Sequence, residues 1–525
     1  MNGAALPAIN AGDTAWLLGS AALVFVMNPG LAFFYSGLVR RKNTLNTLMM
    51  TYVAMGTGAL VWMAAGYSLA FAPGSAFLGG LRWLGLGGVG AAPEPAYAAT
   101  VPHLAFFVFQ GMFATITPAL ISGAIVERMS FRAYILFIGL WSLVVYAPVA
   151  HWVWGTGGFL REWGALDFAG GTVVHVTAGT AALVAARVLG ARQDHKRVAL
   201  IPHNVPYVLL GSGLLWFGWF GFNAGSALAA NGVASLAFVT TNAGAAAAML
   251  TWLLLENHFG GHATAVGAAT GAVVGLVGIT PGAGFVSPLA AVAIGALTAL
   301  ASFTALRLRA RTSLDDTLDV FACHGIGGIT GSILTGVFAS KAANPDGGNG
   351  LLAGGAALLG IQIGAVAVVF LYTAAATATV LLLVKAVTPL RVELRAELEG
   401  LDRQVHGEEA YRGGSAAGGL GESVLLLPSE RVRGSERGWG LEELSDRAAR
   451  PVSAARRRRR AARSGENASF AARQSQFWPA RPGTFMRPSA PRSRMSCSGT
   501  IARSATEAYA ARMRSHAASS PPVPR

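Results

Sequence analysis

Long apolar stretches, parted by short polar or basic ones, fill the first 387 residues. Eleven segments can be read, at about 14–39, 43–72, 101–126, 133–157, 168–190, 203–225, 234–256, 262–281, 285–308, 318–340 and 351–386. A run of about 20 apolar residues is the length of helix that crosses a bilayer, and a soluble core has no use for so many. The pattern predicts an all-α polytopic membrane protein with 11 transmembrane helices. The first segment follows a polar start, "MNGAALPAINAGDT", with no basic residue before it, and reads as a span rather than a cleaved signal.

The basic residues set an expected orientation. "RRK" (40–42) follows segment one, "ERMSFR" (127–132) segment three and "ARQDHKR" (191–197) segment five; "RLRAR" (307–311) follows nine, and Lys385, Arg391 and Arg395 close eleven. The alternate loops hold only Arg82, Arg161 and Lys341. The positive-inside rule then puts the N-terminus outside and the C-terminus in the cytoplasm, which needs an odd number of spans. An internal echo divides the spans further. "FVMNPGLAFFYSG" in segment one is similar to "FGFNAGSALAANG" in segment six, and "DFAGGTVVHVTAG" in segment five to "DVFACHGIGGITG" in segment ten. Two five-helix units in tandem have opposite topologies, so two inverted repeats plus one helix are expected, with the substrate path at their interface.

Composition sharpens this picture. Of 525 residues 53% are hydrophobic and 12% charged, where a soluble domain is nearer a quarter charged. The 67 glycines suit close helix contacts in lipid. Two cysteines, Cys323 and Cys497, make no disulfide framework. The net charge of +15 belongs to the tail: from residue 411 onward 21 Arg face 8 acids. Three regions are expected: a membrane domain (1–387), a charged cytoplasmic segment (388–411) and an Arg-rich tail (412–525) that reads as disordered. No nucleic-acid partner is expected of that tail.

Two histidines stand inside apolar runs, His175 in "VVHV" and His324 in "FACHGIGG". At 1.5 Å per residue from Asp167, His175 lies about 12 Å deep. Desolvation there favours neutral rings, which both donate and accept. Each ring could bond a backbone carbonyl in a packed bundle, or the two could face one another and offer their outer nitrogens to a small polar guest. No third ligand at usable spacing accompanies either ring, so no metal is expected. His103 and His151 lie near span ends and are expected at the interface. Asp167 can cap segment five through the N–H groups that follow it, or draw cations to an outer mouth. Trp154, Trp216, Trp219 and Phe222 fit an interfacial aromatic belt; beside Ser226, such rings could also hold a small cation on a π face.

These residues carry a resemblance. "DFAGGTVVHVTAGTAALVAARVLGAR" (167–192) is similar to the signature of the ammonium transporter (Amt/Mep/Rh) family, bacterial Amt branch. Support comes from "NPGLAFFYSGLVRRKN" (28–43), "FQGMFATITPALISGAIVER" (109–128), "GWFGFNAGSA" (218–227), "DDTLDVFACHGIGGITG" (315–331) and "LRVELRAELEGLDRQVHGEEAY" (390–411). The resemblance implies a homotrimer in the inner (plasma) membrane, one pore per subunit, moving ammonium or ammonia with no cofactor and no enzymatic step. It implies an outer recruiting site of Phe113, Trp154 and Ser226, a gate of Phe113 and Phe222 with Trp219 in its wall, and twin pore histidines His175 and His324. It further implies an essential, structural Asp167 and a cytoplasmic face that docks a PII-type signal protein. The Arg-rich extension lies outside the family pattern. Two other readings share these residues: an ammonium sensor coupled to nitrogen regulation, and a neutral-gas channel of the Rh type.

Overall fold

The computed structural model describes residues 9–411; the Arg-rich tail lies outside them. Those residues are all-helical, with no strand beyond two isolated bridges. Ten helices are long and apolar enough to cross a membrane: α1 Ala11–Leu38, α2 Arg41–Phe71, α3 His103–Ile125, α4 Phe131–Glu162, α5 Gly171–Leu189, α6 Val205–Ala227, α7 Gly232–Gly260, α9 Pro288–Ala310, α10 Phe321–Phe338 and α11 Ala356–Val387. Between α7 and α9 the predicted segment 262–281 forms α8, Ala265–Ile279, apolar but only 15 residues long.

Local chemistry starts the helices where the pattern placed them. Asn204, Asn231, Thr264 and Ser287 each accept an N–H of the first turn of the helix that follows, satisfying a donor the helix itself cannot. Pro206 and Pro288 sit in first turns, where a missing N–H costs nothing. The opening helices of the two sequence units, α1 and α6, run along one another, and their closing helices, α5 and α10, cross. α4 is interrupted at Gly155 and resumes as the short stretch Phe159–Glu162.

His103 and His151 lie inside the protein rather than on its exposed surface. Both are buried: His103 meets the Tyr67 hydroxyl, and the His151 ring nitrogens lie 2.9 and 2.7 Å from the carbonyls of Ala70 and Ser75. His151 joins the end of α2 to the long loop after it, and His103 packs edge-on against Trp83 of that loop (4.6 Å between ring centroids), a use for polar rings that span position alone does not reveal.

Residues 388–411, which include α12 (Leu394–Glu399), fold back onto the start of α2 and the loops after α3 and α5. Ser130 N–H donates to Leu390 O (2.9 Å), Gln193 N–H to Glu397 (2.7 Å) and Leu401 N–H to Asn43 (2.9 Å). Beneath them Arg192 bridges Glu127 (2.8 Å) and Asp315 (2.9 Å), both acids fully buried. Burial alone would raise the Asp315 carboxyl; the Arg192 hydrogen bonds and the charges of Arg128 and Arg192 outweigh it and hold the group at about 2.

Candidate functional site

Asp167 organises the outer end of α5. One carboxylate oxygen accepts the N–H groups of Gly170 (2.7 Å) and Gly171 (2.6 Å); the other accepts those of Thr172 (2.8 Å) and Val173 (3.1 Å) and the Thr172 hydroxyl. Gly170 is at φ +113°, open to glycine and strained for any other residue. Its carbonyl receives the N–H of His175 at 3.0 Å, within a wide i→i+5 turn over Gly171–Val176. Turns of this kind recur at functional positions because they rotate side chains out of helical register. The cap expected of Asp167 is therefore made, and it leads in two hydrogen bonds to His175.

The second unit repeats the device with a different residue. The sequence echo set Asp319 against Asp167; Asp316 does the capping instead, accepting from Val320 (3.0 Å) and Phe321 (2.7 Å) at the head of the wide turn Phe321–Ile326. Asp319 stands at φ +57° and pairs with Arg309 (2.6 Å). Three aspartates crowd "DDTLDVF", so local similarity does not choose among them. The distance to the histidine does: Asp167 and Asp316 each precede theirs by eight residues.

Where α5 and α10 cross, their backbones nearly touch. A Cβ on Gly179 would lie 2.1 Å from the Gly325 nitrogen, so only glycine permits the approach. The two rings meet beside this crossing: His175 Nδ1 and His324 Nδ1 are 3.3 Å apart, with ring planes 25° from parallel. A contact of that length needs one N–H and one lone pair, so two imidazolium rings could not make it. His175 stacks on Trp219 (5.4 Å between centroids) and Phe222 (6.0 Å). Its Nε2 is buried with no hydrogen-bond partner among the described residues.

Three cavities lie in series. The first, about 200 Å³, is lined by Phe113, Trp154 and Ser226 together with Tyr97, Gln110 and Arg161. Trp154 is held there by its indole N–H on the Asp167 carbonyl (2.9 Å), and the Ser226 hydroxyl donates to Phe222 O (2.9 Å). Phe113 and Phe222, rings 4.3 Å apart, separate this cavity from the next. The middle one is about 10 Å³, room for about one water-sized guest, and walled by Phe222, Trp219, Leu and Val side chains and the two histidines. The third, about 220 Å³, is reached past His324 and contains Asp319, Cys323 and Glu256.

Every residue expected at the site thus lines one of these cavities, apart from Asp167, which braces them. The sequence reading missed Asp316 and Gln110. Gln110 stands three residues before Phe113, hence on the same helix face, and its Oε1 is buried without a partner among the described residues. His258 and His262 stand four apart, yet no group of three His, Cys, Asp or Glu that could hold a metal forms among the described residues.

Known proteins share this architecture. The family model of the Ammonium Transporter Family matches residues 15–411. The ammonium transporter of Bacillus subtilis (strain 168) is 48% identical over 402 residues, which cover 76% of this chain and 98% of that protein. The crystal structure of Saccharomyces cerevisiae Mep2 has a TM-score of 0.69 at 37% identity, covering 74% of this chain and 91% of that one. A solved sensor Amt protein has a TM-score of 0.69 at 30% identity, covering 75% and 98%. A match that runs from the first helix to Tyr411 over a many-spanned helical body leaves one conclusion: the chain belongs to the ammonium transporter family, multi-pass membrane proteins of transport rather than enzymes.

Proposed function

We propose that this chain recruits ammonium in the first cavity, strips it of a proton at the phenylalanine gate and conducts ammonia past His175 and His324, the released proton being carried separately along the same pair of rings. One observation carries the reading: two polar rings in Nδ1–Nδ1 contact at 3.3 Å are the polar lining of an otherwise apolar, one-molecule passage between two wider cavities. An ammonium ion could rest on the Trp154 and Phe113 faces with Ser226 and Gln110 as acceptors. A bare cation pays a large desolvation penalty in the middle cavity and ammonia a small one. Ammonium can lose a proton and potassium cannot, so the passage separates two ions of similar size by chemistry rather than by fit. Asp167 and Asp316 hold the two rings in place, each from the head of its own turn.

On this reading the first cavity faces outward, the basic loops and residues 388–411 face the cytoplasm, and α8 completes eleven spans in two inverted units. The protein works as a homotrimer in the inner membrane, with a PII-type protein as partner of the cytoplasmic face. His175→Ala and His324→Ala in proteoliposomes test the core claim. Both are expected to lose selective ammonium conduction while remaining folded; uptake with full discrimination against potassium in both would reject it. The structural likeness to a sensor Amt protein favours a second reading, ammonium sensing. Rescue of a transporter-deficient strain on low ammonium is expected here, and a pure sensor would fail to give it.

A further inference from the structure

The first cavity carries a charge of the wrong sign for its cargo. Among its lining residues the one ionic side chain is Arg161; no Asp or Glu is present. Arg161 is exposed at the rim, on the short stretch Phe159–Glu162, and its guanidinium donates to the Trp154 carbonyl at 2.8 Å. No ion pair among the described residues includes it. The Asp167 carboxylate below is buried and committed to four backbone N–H groups. Glu162, next in sequence, is exposed, and neither it nor Glu94 lines the cavity. The third cavity differs in sign: Glu256 and the Arg309-paired Asp319 line it.

We propose that Arg161 determines the affinity of the outer site, acting as a fixed positive charge that holds cation occupancy down and makes it depend on salt. The inference rests on reading the first cavity as the recruiting site. The hydrogen bond to the Trp154 carbonyl favours a position at the rim for a charge that a free side chain would spread over many rotamers. Across roughly 7 Å, the width of a cavity this size, like charges in water repel enough to lower occupancy about threefold. The repulsion acts through solvent, so it weakens beyond a Debye length of about 10 Å at 0.1 M salt and falls further at 1 M. It acts on every cation and leaves neutral ammonia untouched. The site then trades tight capture for easy release toward the gate.

The test measures half-saturation of ammonium transport in proteoliposomes of zwitterionic lipid, at ionic strengths from low to high set with an impermeant salt. Wild-type half-saturation is expected to fall as salt rises, the reverse of an attractive site. Arg161→Gln drops the charge and keeps a polar amide, though with a shorter reach: half-saturation should fall about threefold at low salt, with maximal rate kept, and the gap should close at high salt. Arg161→Lys should behave as wild type. Equal half-saturation in Arg161→Gln and wild type at low salt would overturn the proposal. So would a gap that persists at high salt, which would mark a shift of Trp154 rather than a charge effect. Ser226→Ala and Trp154→Ala in parallel keep the two claims apart. If they shift half-saturation while Arg161→Gln does not, only the Arg161 inference fails; if they leave it unmoved, the outer-site reading itself fails.

Discussion

Asp167→Asn is the most informative single change, because shape is kept and only hydrogen-bond polarity is altered. One oxygen of the asparagine could still serve Gly170 and Gly171. The amide nitrogen would then face the Thr172 and Val173 N–H groups, now 2.8 and 3.1 Å from an acceptor, and would meet donors with a donor. A buried donor left unmet costs about 1–3 kcal/mol, and loss of an ordinary cap about 0.5–2. With two donors orphaned, a helix-end charge removed and partial relaxation, the expected loss is about 2–4 kcal/mol, less than that of Asp167→Ala, which leaves all four N–H groups without the carboxylate. The damage should spread along two short routes: Gly170 carries the His175 N–H, and the Asp167 carbonyl carries the Trp154 indole. Unfolding midpoints in mild detergent, with ammonium uptake normalised to folded protein, measure both effects. Asparagine is expected to lower the midpoint part of the way toward that of alanine and to cut uptake by more than the folded fraction explains. If asparagine matches wild type in both while alanine fails, the bidentate carboxylate cap is not what positions the two site residues.

Other expectations follow from the same geometry. Gly179→Ala would place a methyl 2.1 Å from the Gly325 nitrogen, so a large drop in folded yield is expected; normal yield and stability would show that α5 and α10 do not cross so closely. Ser226→Ala should raise half-saturation at low ammonium, and an unchanged concentration dependence would remove it from the outer site. Asp315→Asn breaks a buried pair with Arg192 and should cost about 3–5 kcal/mol, seen as a lower unfolding midpoint. The Asp315 carboxyl is held below its ordinary value, so its contribution is complete above about pH 4 and lost as pH falls toward about 2. An acid-unfolding profile that Asp315→Asn leaves unmoved would count against the pair.

Much of the site could be read before any coordinates. The eleven apolar segments match the eleven helices to within about five residues at either end, because twenty apolar residues in a row have few ways to satisfy their backbone except as helix. His175 and His324 stood out because ionisable rings in such runs are costly, and Asp167 because a carboxylate before small residues is a cap. Asp316 was hidden among three aspartates, and Gln110 had only its three-residue spacing from Phe113 to mark it. The partners of His103 and His151 were hidden because a span end says nothing of the loop folded over it.

The sequence alone determined that the chain spans a membrane by helices, where those helices start, which rings are expensive to bury and where the basic charge gathers. These are local properties, decided by each segment against water or lipid. Tertiary structure decided which nitrogens touch, which aspartate of three becomes the cap, that Arg161 turns onto the Trp154 carbonyl, and that an apolar passage is one molecule wide. The touching nitrogens and the narrow passage beside them depend on two helices meeting at glycines 146 residues apart in the chain, a contact that no window of sequence contains.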